Sequence, residues 1–314
     1  MAFDIVVLGS LNTDFSFHVA TFPTPGETVL ADRLSVSAGG KGGNQAVAAA
    51  RMNKTVAMIA AVGSDDRGTA LIDYLAQSGV DVDGIWRREH SPTGLATILV
   101  NGAGENLIVV DQGANRTLAP SDFEHRLPVA RYALAQFETP LATIAAFLRT
   151  ARRAGSTCIL NAAPAKLDGK RLFPFCDILV INEPELGAYI GSSVSGLTED
   201  QIGDAAKALL SRDDQTVIVT RGRAGVIAIR SGAKLVVSAH QAEAVDTTGA
   251  GDCFCGTLVA ALSDGLALGA AIERANAAAS IAVRKAGAAT ALPTADEVDE
   301  FLASRARVQP HLSH

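Results

Sequence analysis

Cysteine is scarce in this 314-residue chain, charge is modest, and long hydrophobic runs are missing. The four cysteines, Cys158, Cys176, Cys253 and Cys255, form no CxxC pair, and a chain of this length folds without covalent staples. That excludes a disulfide framework and points to a reducing compartment. Cys253 and Cys255 are spaced as CxC, but no further metal ligands cluster around them in the sequence, so they read as small core-facing side chains on a helix. Basic residues are in deficit: Lys plus Arg number 27 against 33 Asp plus Glu, a formal net charge of −6. Such a balance offers no sequence-independent attraction for nucleic acid or an anionic membrane. No apolar stretch approaches the length of a membrane span. The run at 5–8 is too short for the apolar region of a signal peptide and lacks a basic flank, so a soluble, cytoplasmic protein is expected. Internal repeats and low-complexity linkers are lacking too. With 48% apolar and 19% charged residues, disorder is excluded and a sizeable core is expected.

What the chain does have is alternation. Short continuous apolar runs at 5–8, 56–61, 158–160, 178–181 and 217–220 read as strands buried on both faces. Between them lie Ala- and Leu-rich helical stretches at 44–51, 68–78, 141–154 and 201–211. Strands alternating with amphipathic helices predict an α/β layered fold. Runs at 226–229 and 234–237, joined by Arg230-Ser231-Gly232-Ala233, read as a hairpin. Two segments break the rhythm. Residues 15–37 carry the turn signature Pro23-Thr24-Pro25-Gly26, and 93–111 carry two strand-like runs across a Gly- and Asn-rich turn. Together they predict a small β-sheet projecting as a lid or an oligomer interface. The α/β core is then expected over 1–14, 38–92 and 112–307, with a frayed tail after Arg307.

The most informative polar segment is Asp246-Thr247-Thr248-Gly249-Ala250-Gly251-Asp252, running into an apolar helix. A Gly-rich turn at a helix start leaves N–H groups unpaired and convergent, and the helix dipole favours an anion there. Phosphoryl transfer requires that feature, because its transition state spreads charge over the phosphoryl oxygens. Asp252 reads equally as a general base beside that anion and as a helix cap. The loop is not a Walker A, since no Gly-Lys-Ser/Thr follows the glycines. A second segment, Gly39-Gly40-Lys41-Gly42-Gly43-Asn44, lets backbone approach a ligand and offers Lys41 and Asn44 as donors; a flexible turn is the alternative. A third, Asn12-Thr13-Asp14, follows the first strand, where open α/β sheets bind ligands; a simple Asx-turn explains it as well. In a fourth, Asn182 and Glu185 lie one helical turn apart after a strand, which suits a water-rich Mg²⁺ site and also an ordinary acidic helix N-terminus.

In this order the segments resemble the ribokinase family of carbohydrate kinases, also called PfkB, over nearly the whole chain. The signatures are Ala38-Gly39-Gly40-Lys41-Gly42-Gly43-Asn44-Gln45-Ala46-Val47-Ala48 and the 246–252 segment, supported by Phe22-Pro23-Thr24-Pro25-Gly26-Glu27-Thr28 and Asn161-Ala162-Ala163-Pro164-Ala165. The resemblance implies a three-layer core with a mostly parallel sheet and transfer of the ATP γ-phosphoryl group to D-ribose, giving ribose 5-phosphate. Other sugars (fructose, ketodeoxygluconate), a nucleoside, or sugar binding without catalysis are the alternatives. By resemblance, Asn12, Asp14, Gly40, Lys41, Asn44 and Glu138 hold the sugar, Asp252 takes the proton, and Gly249, Ala250 and Gly251 form the anion hole. Asn182 and Glu185 would organise Mg²⁺ and phosphates. Thr220, Arg221, Gly222, Arg223, Ala224 and Gly225, with Gly251 and Asn276, would bind the nucleotide. K⁺ is implied at Asp246, Thr248, Ala282, Lys285, Gly287 and Ala291, and a homodimer through the lid sheets. The chain departs from the family pattern at Asn276 and Asp111, where His is common, and at Ala291, where Ser is expected beside Thr290. A nucleoside acceptor would want aromatic stacking surfaces, and the lid offers only Phe15, Phe17 and Phe22; Val109 and Val110 are expected to narrow the pocket.

Overall fold

The structure is a computed structural model and describes residues 2–103, 105–285 and 287–308. The tail expected to fray, from 309 on, lies outside the described residues. The strands are β1 (Phe3–Leu8), β2 (Asn12–His18), β3 (Arg33–Gly39), β4 (Val56–Gly63), β5 (Val80–Arg88), β6 (Gly94–Val100), β7 (Asn106–Asp111), β8 (Ala130–Gln136), β9 (Thr157–Asn161), β10 (Ile178–Asn182), β11 (Thr216–Thr220), β12 (Val226–Arg230) and β13 (Ala233–Val237). The α-helices are α1 (Lys41–Arg51), α2 (Asp66–Gln77), α3 (Leu141–Arg153), α4 (Glu183–Ile190), α5 (Glu199–Lys207), α6 (Ala250–Ser263), α7 (Leu268–Ala282) and α8 (Ala295–Val308).

Nine strands form the main sheet in the order β13-β12-β11-β10-β9-β8-β1-β4-β5. Its pairs are parallel except for β11–β12 and the expected hairpin β12–β13. Strands that are apolar on both faces need helices on both sides. Ile5 and Val7 of β1 face one core, with side chains of α1, α2, α6, α7 and α8; Val6 and Leu8 face the other, with α3, α4 and α5. The result is the expected three-layer α/β fold. Strands β5 and β8 were not expected. The Ala-rich sequence of β8, Ala130-Arg131-Tyr132-Ala133-Leu134-Ala135-Gln136, carries helical propensity, but its place between β1 and β9 decides its conformation.

The second sheet has the order β3-β2-β6-β7, with β2 and β6 parallel and the flanking pairs antiparallel. It is built from both segments that break the α/β rhythm. Its register separates two faces. Phe15 pairs with Val36 and Thr97, and Thr97 with Val109; Phe17 pairs with Leu34 and Leu99, and Leu99 with Leu107. These two rows share one face. Leu34, Val36, Leu107 and Val109 on it are exposed. The opposite face carries Asp14, Ala96, Ile98, Ile108 and Val110, which border a cavity over the carboxyl ends of the main-sheet strands. Where β2 leaves the core it is clamped by Asn115, 1% exposed. The Asn115 side chain accepts from the Leu11 N–H (2.9 Å) and donates to the Leu11 carbonyl (3.1 Å) and to Asn12 Oδ1 (2.8 Å). Among the described residues no helix is long and apolar enough to cross a membrane.

Candidate active site

The site grows from the start of α6. Gly249 occupies the N-cap with φ 76°, a left-handed conformation, and its carbonyl accepts from Cys253 N at 2.8 Å. The cap has no side-chain hydrogen bond, so Asp252 does not cap the helix. Its carboxylate turns instead toward α1. Oδ2 accepts from Asn44 Nδ2 at 3.0 Å, and Oδ1 accepts from Gln45 Nε2 at 2.9 Å. The approach of the two helices depends on Gly256, one turn further along α6. A Cβ there would stand 2.5 Å from the Gln45 carbonyl oxygen and from Ala48 Cβ. Of the three amides expected in the anion hole, Ala250 N–H donates to the Thr247 carbonyl at 3.2 Å. The tight turn therefore absorbs it, whereas the Gly251 N–H belongs to the first helical turn and has no acceptor within the helix.

Three cavities meet here. The first, about 230 Å³, is bordered by Asn12, Asp14, Gly40, Lys41, Asn44 and Glu138, together with Asp252. These are the seven residues expected at the sugar. The second, about 210 Å³, is bordered by Lys41, Asn182, Glu185, Thr220, Gly249, Gly251 and Asp252. The third, about 280 Å³, takes in Gly222, Arg223, Ala250 and Asn276. Thr247 borders all three, and Lys41, Gly249 and Asp252 border the first two.

Electrostatics divide the groups. Asp14 is buried and its Oδ1 has no partner among the described residues; its carboxyl is pushed up to about 7 by burial, then by the charges of Glu138 and Asp252. The Asp14 carboxylate lies against Gly39, where any Cβ would overlap it. The Lys41 ammonium is held well above the usual lysine range, chiefly by Asp252 and further by Glu138 and Glu185. Burial raises Glu185, against a hydrogen bond from Asn182 that lowers it. Glu138 Oε2 accepts from Ser10 Oγ and from Lys41 N (3.0 Å), so besides bordering the cavity it anchors the glycine turn. The Cys255 thiol, pushed far up by burial, is a neutral wall of the second cavity.

Several expected roles change in detail. Asn182 and Glu185 cap α4 reciprocally: Asn182 Oδ1 accepts from Glu185 N (2.8 Å) and Glu185 Oε2 from Asn182 N (2.9 Å). The helix-terminus reading therefore holds, and the same residues also face the second cavity. Arg221 pairs with Glu183 (3.3 Å) and Glu199 (3.0 Å), and neither it nor Ala224 and Gly225 borders the three cavities. Asn276 donates to the Ser238 carbonyl at 3.2 Å, and the wall beside it is made by His240, Gln241 and Ala242, which the sequence did not single out. Val110 borders the first cavity but Val109 does not, because successive strand residues face opposite ways. By the same alternation Phe15 and Phe17 share the outer face with Val109. Asp111 accepts from Gly113 N at 3.1 Å in a local turn. Gln45, Gln136, Asn161 and Asn115 were assigned no role: Gln45 and Asn161 lie inside segments that carry the resemblance, but only the packing of α1 against the strand ends shows what they hold, and Gln136 and Asn115 lie in no motif.

The donor chemistry bears on two cations. Among the described residues no group of three or more His, Cys, Asp or Glu could hold a metal ion. The Glu185 carboxylate and Asn182 amide beside the second cavity suit Mg²⁺, which keeps waters and phosphate oxygens as most of its ligands. Asp246 ties two loops, accepting from Thr248 N and Gly287 N, both at 2.9 Å. Ala291 is buried, and Ala282 and Lys285 are joined by a hydrogen bond from Lys285 N to the Ala282 carbonyl (3.1 Å).

Known proteins share this fold over nearly the whole chain. A ribokinase of Haemophilus influenzae is 36% identical over 301 residues, covering 95% of this chain and 98% of its own. The crystal structure of a ribokinase from Thermotoga maritima superposes with a TM-score of 0.86 at 34% identity, covering 96% of this chain and 99% of its own. The structure of Arabidopsis thaliana ribokinase complexed with ribose and ATP gives a TM-score of 0.86 at 28% identity, over 96% and 99% of the two chains. The model of pfkB family carbohydrate kinases matches residues 2–295, more than half of the sequence, and the chain belongs to that family of alcohol-group phosphotransferases.

Proposed function

We propose that this enzyme transfers the γ-phosphoryl group of ATP to the primary hydroxyl of D-ribose, forming ribose 5-phosphate and ADP. The observation that carries the proposal is Asp252, buried between the first two cavities with each oxygen held by an amide donor. Ribose fills the first cavity, where Asp14 accepts hydroxyl protons and Asn12 and Lys41 fix the ring. Asp252 accepts the proton of the attacking hydroxyl. The phosphates span the second cavity against the first-turn amides of α6, with the Lys41 ammonium offsetting charge as it develops. The nucleoside lies in the third cavity beside Arg223 and Asn276. Mg²⁺, held near Asn182 and Glu185 largely through water, would supply charge neutralisation on the phosphates. K⁺ beside Asp246 and Thr248, with backbone carbonyls of Ala282, Lys285 and Gly287, would supply positive charge near the start of α6.

Segments 15–37 and 93–111 act as a lid over the core at 1–14, 38–92 and 112–307, excluding water from the sugar. The apolar outer face of that lid, with Leu34, Val36, Leu107 and Val109 exposed, meets its counterpart in a homodimer. Four free, buried thiols support a reducing cytoplasmic setting. The residues of the small sheet that border the cavity, Asp14, Ala96, Ile98, Asn106, Ile108 and Val110, include no aromatic ring, which argues against a nucleoside acceptor. The test is ATP-dependent phosphorylation across pentoses, hexoses and nucleosides, with and without K⁺. D-Ribose should turn over fastest, and Asp252→Asn should lower kcat on the order of 10²–10⁴-fold while ribose still binds. An inert D-ribose, or a near-normal rate in Asp252→Asn, would refute the assignment or the base role respectively.

A further inference from the structure

Asp252 is held by a chain of amides that runs along the carboxyl ends of the main-sheet strands. Gln45, 0% exposed, donates from Nε2 to Asp252 Oδ1 (2.9 Å) and to Asn161 Oδ1 (3.0 Å). Its Oε1 accepts from Gln136 Nε2 at 2.6 Å. Asn161 Nδ2 in turn donates to the Val180 carbonyl at 3.2 Å. Gln136, Asn161 and Val180 stand in register on β8, β9 and β10.

An amide side chain has a donor end and an acceptor end, and its neighbours decide which way each points. The Val180 carbonyl can only accept, so Asn161 must turn its NH₂ toward it. That leaves Asn161 Oδ1 for Gln45, which must answer with its own NH₂. The Gln45 oxygen then faces Gln136, which supplies a donor. The polarity of the chain is thus set at a backbone carbonyl and delivered to Asp252 as an N–H. With Gln45 reversed, its oxygen would face both the Asp252 carboxylate and Asn161 Oδ1, an arrangement without a proton between acceptors.

We propose that Gln45 and Gln136 are positioning residues: they hold one oxygen of Asp252 in fixed orientation so that its remaining lone pairs meet the acceptor hydroxyl. The inference rests on Asp252 being the base. Gln136 is the informative member, because it borders none of the three cavities and acts only through Gln45. Both oxygens of the base then have separate supports, Asn44 on Oδ2 and the amide chain on Oδ1.

The experiment compares Gln45→Met, Gln136→Met, the double variant, Asp252→Asn, and Gln45→Met combined with Asp252→Asn. It reads kcat, KM for ribose and ATP, ribose affinity by calorimetry, and melting temperature. Each single Gln variant should lose about tenfold or more in kcat, with both KM values within about twofold of the parent. The double variant should be no slower than Gln45→Met alone, and Gln45→Met should add nothing once Asp252 is Asn. Should Gln45→Met fail to fold, Gln136→Met carries the comparison alone. A normal kcat in Gln136→Met, losses that multiply in the double variant, or a raised KM at unchanged kcat would overturn the proposal. A near-normal rate in Asp252→Asn would instead remove the base role on which it rests.

Discussion

Replacing Asp14 with Asn should make the ligand-free protein more stable in alkaline solution while impairing sugar binding. Asp14 is 7% exposed, one of its oxygens has no partner among the described residues, and its carboxyl is pushed from 3.8 up to about 7. The folded state therefore keeps a proton that the unfolded chain has already released. Stability is lost as pH rises from about 4 to about 7, and the loss is complete above that range. At about 1.4 kcal/mol per pH unit, the full cost approaches roughly 4 kcal/mol, of which roughly 2–3 kcal/mol develops between pH 5 and pH 8. Water in the open cavity screens part of this. Asn has no charge to expel, so urea melts of the variant should lack that slope. The advantage of Asp14→Asn over the parent should widen by about 1–3 kcal/mol from pH 5 to pH 8. Ribose hydroxyls donating to Asp14 would favour its ionised form, so binding near neutral pH should also release a proton, detectable as buffer-dependent heats. Parallel pH slopes for the two proteins would show that Asp14 is ionised at no cost, and the argument from burial would fail.

Gly256→Ala should push α6 away from α1, since the new Cβ would meet backbone and Ala48 at 2.5 Å. A loss of about 1–3 kcal/mol in stability is expected, with a fall in kcat as the amides of Asn44 and Gln45 are drawn off Asp252; unchanged melting and rate would contradict the close approach. Val109→Lys places a charge on the outer face of the small sheet, opposite the cavity. Sedimentation should then report a monomer with ribose KM little changed, whereas an unaltered mass would move the dimer contact elsewhere.

Much of this molecule was legible in its sequence because the strongest signals are periodic or glycine-bound. Both-face apolar strands and the 246–252 turn depend on local rules, and the structure keeps them. The ambiguous residues resolve through tertiary contacts that no local rule contains. Asp252 is equally placed in sequence to cap a helix or to act as a base, and it is the packing of α1 that draws it inward. Asn182 and Glu185 satisfy both of their readings at once, since reciprocal capping leaves them facing the second cavity. Arg221 was expected along the nucleotide, but acids on α4 and α5, remote in sequence, engage it. Strand β8 was hidden because alanine favours helix in isolation, whereas a central position in a sheet rewards small side chains between helical layers.

The meeting of three cavities at Thr247 has a stereochemical consequence. In the proposed reading, acceptor alcohol and nucleotide lie in adjoining cavities, and Asp252 takes a proton from the alcohol rather than attacking phosphorus. The phosphoryl group then has no resting place on the protein between donor and acceptor. A chiral, isotopically labelled γ-phosphate passed from donor to acceptor should emerge with its configuration inverted, the mark of one in-line displacement.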